Sequence, residues 1–227
     1  KIIFSPYLMA KTVILDPITT VHLPQSITAS TGMDALTHLI ESYLAIGFQP
    51  LCDAIAIHGI RLVNDYLVRC SEYSKNPDEN DNEQIEARGI LLNASYMGAI
   101  AFQKGLGVTH SCAHALSTIH NVHHGLANGI LLPYAMQFNL PATKDKFRDL
   151  AKIVNISDES PESFIHWIIT LKKQLGIPEN LSKIGISKDT IPQLVEIAIK
   201  DPCHASNPRP VVKKDFEHIF AKAFGDE

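Results

Sequence analysis

Residues 83–104, EQIEARGILLNASYMGAIAFQK, carry apolar side chains at Ile85, Ile90, Leu91, Leu92, Ala94, Met97, Ile100, Ala101 and Phe102. Wound at about 3.6 residues per turn, these positions surround most of a helix, and a helix apolar on all sides belongs in the centre of a bundle. That reading sets an all-α, multi-helix bundle as the expected fold. Upstream, Pro24 opens a helix that runs to about Ala45, and Pro50 opens another through DAIAIHGIRLVNDYLVRCSEY at 53–73. The polar stretch 74–82, SKNPDENDN, is a solvated loop whose charges need no functional account. Downstream, Gly105 and Gly107 break the pattern and a new helix begins near Val108, followed by one that starts near His124 and is expected to bend at Pro133. Amphipathic segments follow at about 143–154, 161–175, 188–199 and 213–224, and there is no internal repeat. One stretch reads as a strand: Lys11–Asp16, KTVILD, a short β-branched run closed by Asp16-Pro17.

Composition narrows the partners. The 227 residues are 45% hydrophobic, enough for a sizeable core, and carry a formal charge of -4 with no Lys/Arg cluster. Phosphate binding needs a basic footprint, so nucleic acid is not an expected partner. No apolar run reaches the roughly 18 residues of a membrane span, and the N-terminus lacks a signal-peptide pattern, so a cytoplasmic location is the default expectation. Cys52, Cys70, Cys112 and Cys203 are spread without a C-x-x-C pair and read as reduced thiols. Gly105-Leu106-Gly107 begins like a dinucleotide fingerprint but fails the rest of it: His110 stands where the third glycine should be, and no strand precedes it.

The chemistry lies in two clusters. Asp34 and His38, in TGMDALTHLIESY, are four residues apart and therefore share one helical face, where a single ion could be gripped by both. His110, His114, His120, His123 and His124 crowd GVTHSCAHALSTIHNVHHG at 107–125; His110 and His114 repeat the four-residue spacing, and a turn can bring His124 back. Several imidazoles with one carboxylate suit iron or zinc and are too rich in nitrogen for magnesium or calcium. Cys112, two residues from each of His110 and His114, points to another face. His22, His58, His166, His204 and His218 lack such neighbours and read as surface or structural residues.

DALTHLIESY, FQKGLGVTHSCAHALSTIHNVHHGLANGILLPYAMQFN and the C-terminal SNPRP at 206–210 resemble the iron-containing, group III alcohol dehydrogenases. The likeness runs nearly end to end, strongest between Thr31 and Asn139 and weakest between Pro141 and Lys200. It implies Asp34, His38, His110 and His124 as metal ligands, ferrous iron with zinc as the alternative, and His114 beside the site, facing substrate and nicotinamide. Glycerol dehydrogenases resemble the chain too but usually have a non-ligand at the position of His38, and dehydroquinate synthases use Glu where Asp34 stands. FQKGLGVTH is one residue shorter than the same approach in many family members, which leaves the ligands intact and the substrate unassigned.

The resemblance further implies two domains, an α/β nucleotide-binding half and an all-α metal half with the active site between them. Residues 24–227 correspond to the second, and residues 1–23 to a remnant of the first whose last strand is KTVILDP, with Thr20 as a cofactor contact. The implied activity is interconversion of a small primary alcohol and its aldehyde with NAD or NADP as hydride carrier, the metal polarising the substrate oxygen. The chain alone is then expected to be inactive, to need the missing N-terminal half as partner, and to self-associate through the exposed N-terminal segment, whose strand has lost its sheet. Two rivals belong to other classes: a non-catalytic remnant that keeps the fold, and a metal-dependent phosphohydrolase, which the absence of a His-Asp dipeptide disfavours.

Overall fold

Prolines stand at the entrances of the first two helices, where a missing N–H costs no hydrogen bond: α1 spans Gln25–Leu44 and α2 Pro50–Tyr73. The computed structural model describes residues 5–8 and 10–225. α3, Asn82–Ala101, is capped by Asp81, whose carboxylate accepts from the backbone N–H groups of Glu83 and Gln84. It runs into a 3-10 turn at Phe102–Lys104 and stops at Gly105, whose φ of 132° suits a residue without a Cβ. α4 is Val108–His120, ending on Asn121 in the left-handed region, and α5 is His124–Asn139, continuous through Pro133. α6 (Lys144–Ile153), α7 (Pro161–Gln174), α8 (Ile191–Ala198) and α9 (Lys213–Ala223) complete nine α-helices among the described residues. None of them is long and apolar enough to cross a membrane.

The centre of the bundle is not where composition places it. Fourteen of the twenty residues of α1 and twelve of the sixteen of α5 are buried, against six of twenty in α3. α3 packs along α1 and α2, leaving Tyr96 45% and Phe102 37% exposed. Apolar character all round a helix states what its surface can tolerate; which sides are covered depends on neighbours, and α3 has them on one side. α1 is the central element, touching α2, α3 and α5, while α4 rests on α5 and α8.

KTVILD is not a strand. Residues 12–16 carry no regular structure, because a strand needs a ladder partner and none is present among the described residues. Val13 and Ile14 are exposed. Asp16 instead caps the 3-10 turn Pro17–Thr20 by accepting from the Ile18 N–H at 3.0 Å. Residues 1–4 and 9 of the expected remnant lie outside the described residues.

Candidate metal centre

Asp34 and His38 occupy one turn of α1, and Glu41 follows almost a turn later on the same face. His38 Nδ1 donates to the backbone carbonyl of Asp34 at 2.9 Å, which leaves Nε2 as the lone-pair nitrogen. Its ring lies 4.3 Å from that of His110 and 5.9 Å from that of Phe102. Burial, and then the neighbouring His110, push the His38 pKa below its ordinary value, so the ring is held neutral.

The start of α4 is fixed by Glu41 across 69 residues of sequence. Gly107 has no capping side chain, and the Glu41 carboxylate accepts from the N–H groups of Gly107 at 2.8 Å and Thr109 at 2.6 Å, while Asn207 Oδ1 accepts from Val108 N–H at 3.2 Å. An acidic group at a helix N-terminus meets unpaired donors and the positive end of the dipole. A Cβ at Gly107 would sit 2.7 Å from Glu41 Oε1, so the cap needs glycine there. The same carboxylate accepts from His110 Nδ1–H at 2.7 Å. Burial alone would raise the Glu41 pKa, but the hydrogen bond from His110 and those from Thr109 outweigh it and hold the carboxyl below its ordinary range. His110 Nε2 is buried and has no hydrogen-bond partner.

α5 brings in the remaining imidazole. Gly125 lets it approach α1 closely, since a Cβ there would meet the Ser30 carbonyl oxygen at 2.4 Å. His124 Nε2 thereby lies 3.5 Å from Asp34 Oδ1, and His110 Nε2 lies 3.9 Å from the same oxygen. One turn on, Asn128 Nδ2 donates to Asp34 Oδ1 at 2.6 Å and to His124 Nε2 at 3.1 Å, and its Oδ1 is buried without a partner. Burial lowers the His124 pKa to about 4 although Asp34 opposes it.

The donor set fits a divalent transition metal. Asp34, His38 and His110 each offer a ligand atom within 4.8 Å of the others, and His124 faces the same carboxylate oxygen. Ligands about 2.1 Å from a shared ion stand roughly 3.4 Å apart, close to the spacing of Asp34 from the two Nε2 atoms. An unpaired buried Nε2 next to a carboxylate is costly without a partner, and an ion would supply one. The four residues expected as ligands are thus brought together.

His114 stacks on His124 with centroids 5.2 Å apart and an interplanar angle of 19°, and its Nδ1 lies 2.7 Å from Asp201 Oδ2. Burial would raise the Asp201 carboxyl, yet the hydrogen bonds from His114, the Cys203 N–H and Ser111 hold it far below the usual range. The other clustered histidines have local duties: His120 Nε2 bonds Thr190 Oγ1 at 3.0 Å, and His123 caps α5 by accepting from Leu126 N–H. His22, His58, His166 and His218 are exposed, and His204 packs edge-on against Phe216. Cys112 is buried in the core; Cys203, unremarkable in the sequence, is the thiol beside His114 and Asp201. Thr20 donates its hydroxyl to the Pro17 carbonyl and accepts from Arg88 on its own carbonyl at 2.6 Å, and neither bond involves the four residues of the centre. Glu41, Asn128 and Asp201 are the site residues that sequence reasoning missed; the spacing of Glu41 from Asp34 on one helical face was the one local signal for any of them.

Residues 28–224 match the model of the Fe-containing alcohol dehydrogenase family, C-terminal. The chain is 34% identical over 212 residues to alcohol dehydrogenase 4 of Saccharomyces cerevisiae, covering 92% of this chain and 53% of that protein. It is 35% identical over 216 residues to a 1,3-propanediol dehydrogenase of Citrobacter freundii, 92% and 54% covered, and 35% identical over 217 residues to an NAD-dependent methanol dehydrogenase of Bacillus methanolicus, 92% and 55% covered. The chain therefore spans about half the length of the curated relatives it matches. It superposes on the crystal structure of a 1,3-propanediol oxidoreductase with a TM-score of 0.85 at 34% identity, covering 92% of this chain and 55% of that one. For an iron-containing alcohol dehydrogenase from Thermococcus thioreducens the TM-score is 0.86 at 27% identity, with 99% and 57% covered.

Proposed function

Because the chain belongs to the Fe-containing alcohol dehydrogenase family, as its C-terminal domain, we propose that it is the metal- and substrate-binding half of an NAD(P)-dependent alcohol dehydrogenase acting on a small primary alcohol and its aldehyde. The observation that carries this reading is the convergence of Asp34, His38, His110 and His124 around the unpaired His110 Nε2. Ferrous iron or zinc held by these four would polarise the substrate oxygen as a Lewis acid.

The protein's own part is orientation. Glu41 fixes the His110 tautomer, Asn128 donates to the Asp34 carboxylate, and the Phe102 ring stands 5.9 Å from that of His38. In this reading the nicotinamide approaches from the side of Thr20. Thr20, Leu23, Thr31, Ala35 and Ser95 help to line a cavity of about 250 Å³, and Thr31, Ala35 and Ser95 also line the hollow in front of Asp34 and His38. The partner is a nucleotide-binding half that brings the cofactor within about 3–3.5 Å of the substrate carbon.

The test is reconstitution. The metal-loaded 227-residue chain should give no NADH from short primary alcohols alone and metal-dependent NADH formation once a separately produced nucleotide-binding half is added. Robust turnover by the chain by itself, or none from the loaded pair, would overturn the reading.

A further inference from the structure

We infer that Asp201 is a positioning residue for His114, holding its imidazole as the Nδ1–H tautomer so that Nε2 faces the metal cleft as a hydrogen-bond acceptor. The inference rests on the dehydrogenase reading for its functional meaning and on geometry for its content.

Asp201 lies 87 residues beyond His114, with a side chain only 10% exposed. Its Oδ1 accepts from Ser111 Oγ at 2.9 Å and from Cys203 N–H at 2.9 Å, while Oδ2 faces His114 Nδ1 at 2.7 Å. The carboxylate is thus pinned from two sides before it meets the imidazole. An ionised carboxylate only accepts, so the proton between the pair belongs to Nδ1, and in the neutral ring the opposite nitrogen keeps its lone pair. His114 Nε2 has no hydrogen-bond partner among the described residues, and the side chain is 32% exposed. The stack on His124, with centroids 5.2 Å apart, sets the His114 ring beside the centre. A hydroxyl of substrate or of the nicotinamide ribose could donate to it; the other tautomer would present a competing N–H.

The segment that carries Asp201 is itself docked along α4. His204 N–H donates to Ser111 Oγ, Ser206 Oγ donates to the Leu106 carbonyl, and Asn207 caps Val108. This gives the C-terminal SNPRP stretch a role in aiming the histidine helix, which its sequence did not announce.

Asp201→Asn tests this with little change of shape. Its single carbonyl oxygen is claimed by the Cys203 N–H, so its NH₂ should replace Oδ2, donate to His114 Nδ1 and force the Nε2–H tautomer. Long-range ¹H–¹⁵N spectra of the 227-residue chain labelled at histidine, with His114→Gln for assignment, read this directly. We expect Nδ1–H in the wild type and Nε2–H in Asp201→Asn, with metal content unchanged. In the reconstituted enzyme kcat should fall by about 10- to 100-fold with KM nearly constant. A wild-type Nε2–H tautomer at His114 would overturn the inference, as would full kcat or lost metal in Asp201→Asn. Absence of dehydrogenase activity in the wild type with the tautomer pattern as expected would sink the enzyme reading and still support the Asp201–His114 assignment.

Discussion

At the scale of single residues, the centre separates histidines that have another task from those that have none. His120 is satisfied by Thr190, whereas His110 Nε2 is buried without a partner. We therefore expect His38→Ala to abolish tight binding of zinc or ferrous iron in a competition titration and His120→Ala to leave it nearly unchanged; equal losses would show that the cluster acts collectively. Glu41 has two duties, orienting His110 and closing the start of α4. Glu41→Ala leaves buried donors unpaired, at a cost of about 1–3 kcal/mol in denaturant unfolding. It should also weaken metal affinity by about 10- to 100-fold, since the group that fixes the ligand's tautomer is gone. A variant that loses stability but keeps its affinity would confine Glu41 to the helix end.

At the scale of elements, the crossing of α5 over α1 decides whether His124 reaches Asp34. Gly125→Ala places a methyl against the Ser30 carbonyl, forcing the helices apart at an overpacking cost of about 1–3 kcal/mol. Metal affinity should fall with it, and a crystal structure of the variant with His124 in place would refute the link. Farther along α5, the Lys172 ammonium of α7 is buried and donates to the carbonyls of Ile130 and Glu179. Burial pushes its pKa down to about 8 from 10.5. The folded chain thus sheds this proton first, the unfolded chain binds more protons between those values, and stability gains with rising pH across that window. Relative to Lys172→Met, the wild type should gain up to about 3 kcal/mol between pH 8 and 10.5. Urea melts of both proteins across the window check it, and a constant difference would mean that burial leaves the amine with its ordinary pKa.

At the scale of the whole molecule, Phe48 at 90% and Leu51 at 77% exposure protrude between α1 and α2, and Tyr96 and Phe102 line the uncovered side of α3. Exposed apolar surface of this kind tends to find a partner. Sedimentation across a concentration series should reveal self-association, and a strict monomer at high concentration would count against it. Helix starts were legible in the sequence because Pro24, Pro50 and Gly105 act on the backbone within a turn of themselves. Asp34 with His38, and His110 with His114, were legible for the same reason. Asn128 and Asp201 were not: each meets its partner across 94 and 87 residues, a distance over which periodicity says nothing. The place of α3 and the absent strand failed likewise, since both turn on which neighbours are there. The arrangement also makes the chain unequally tolerant of length changes. Asp34, His38 and Glu41 share one rigid rod, so one extra residue after Asp34 would swing both followers through about 100° and uncouple both from Asp34 at a stroke. An extra residue in the loop between α2 and α3 would cost only roughly a fraction of a kcal/mol in closure entropy. A deletion and insertion scan should therefore map the centre as a sharp zone of intolerance in α1, where substitutions strike its members one at a time.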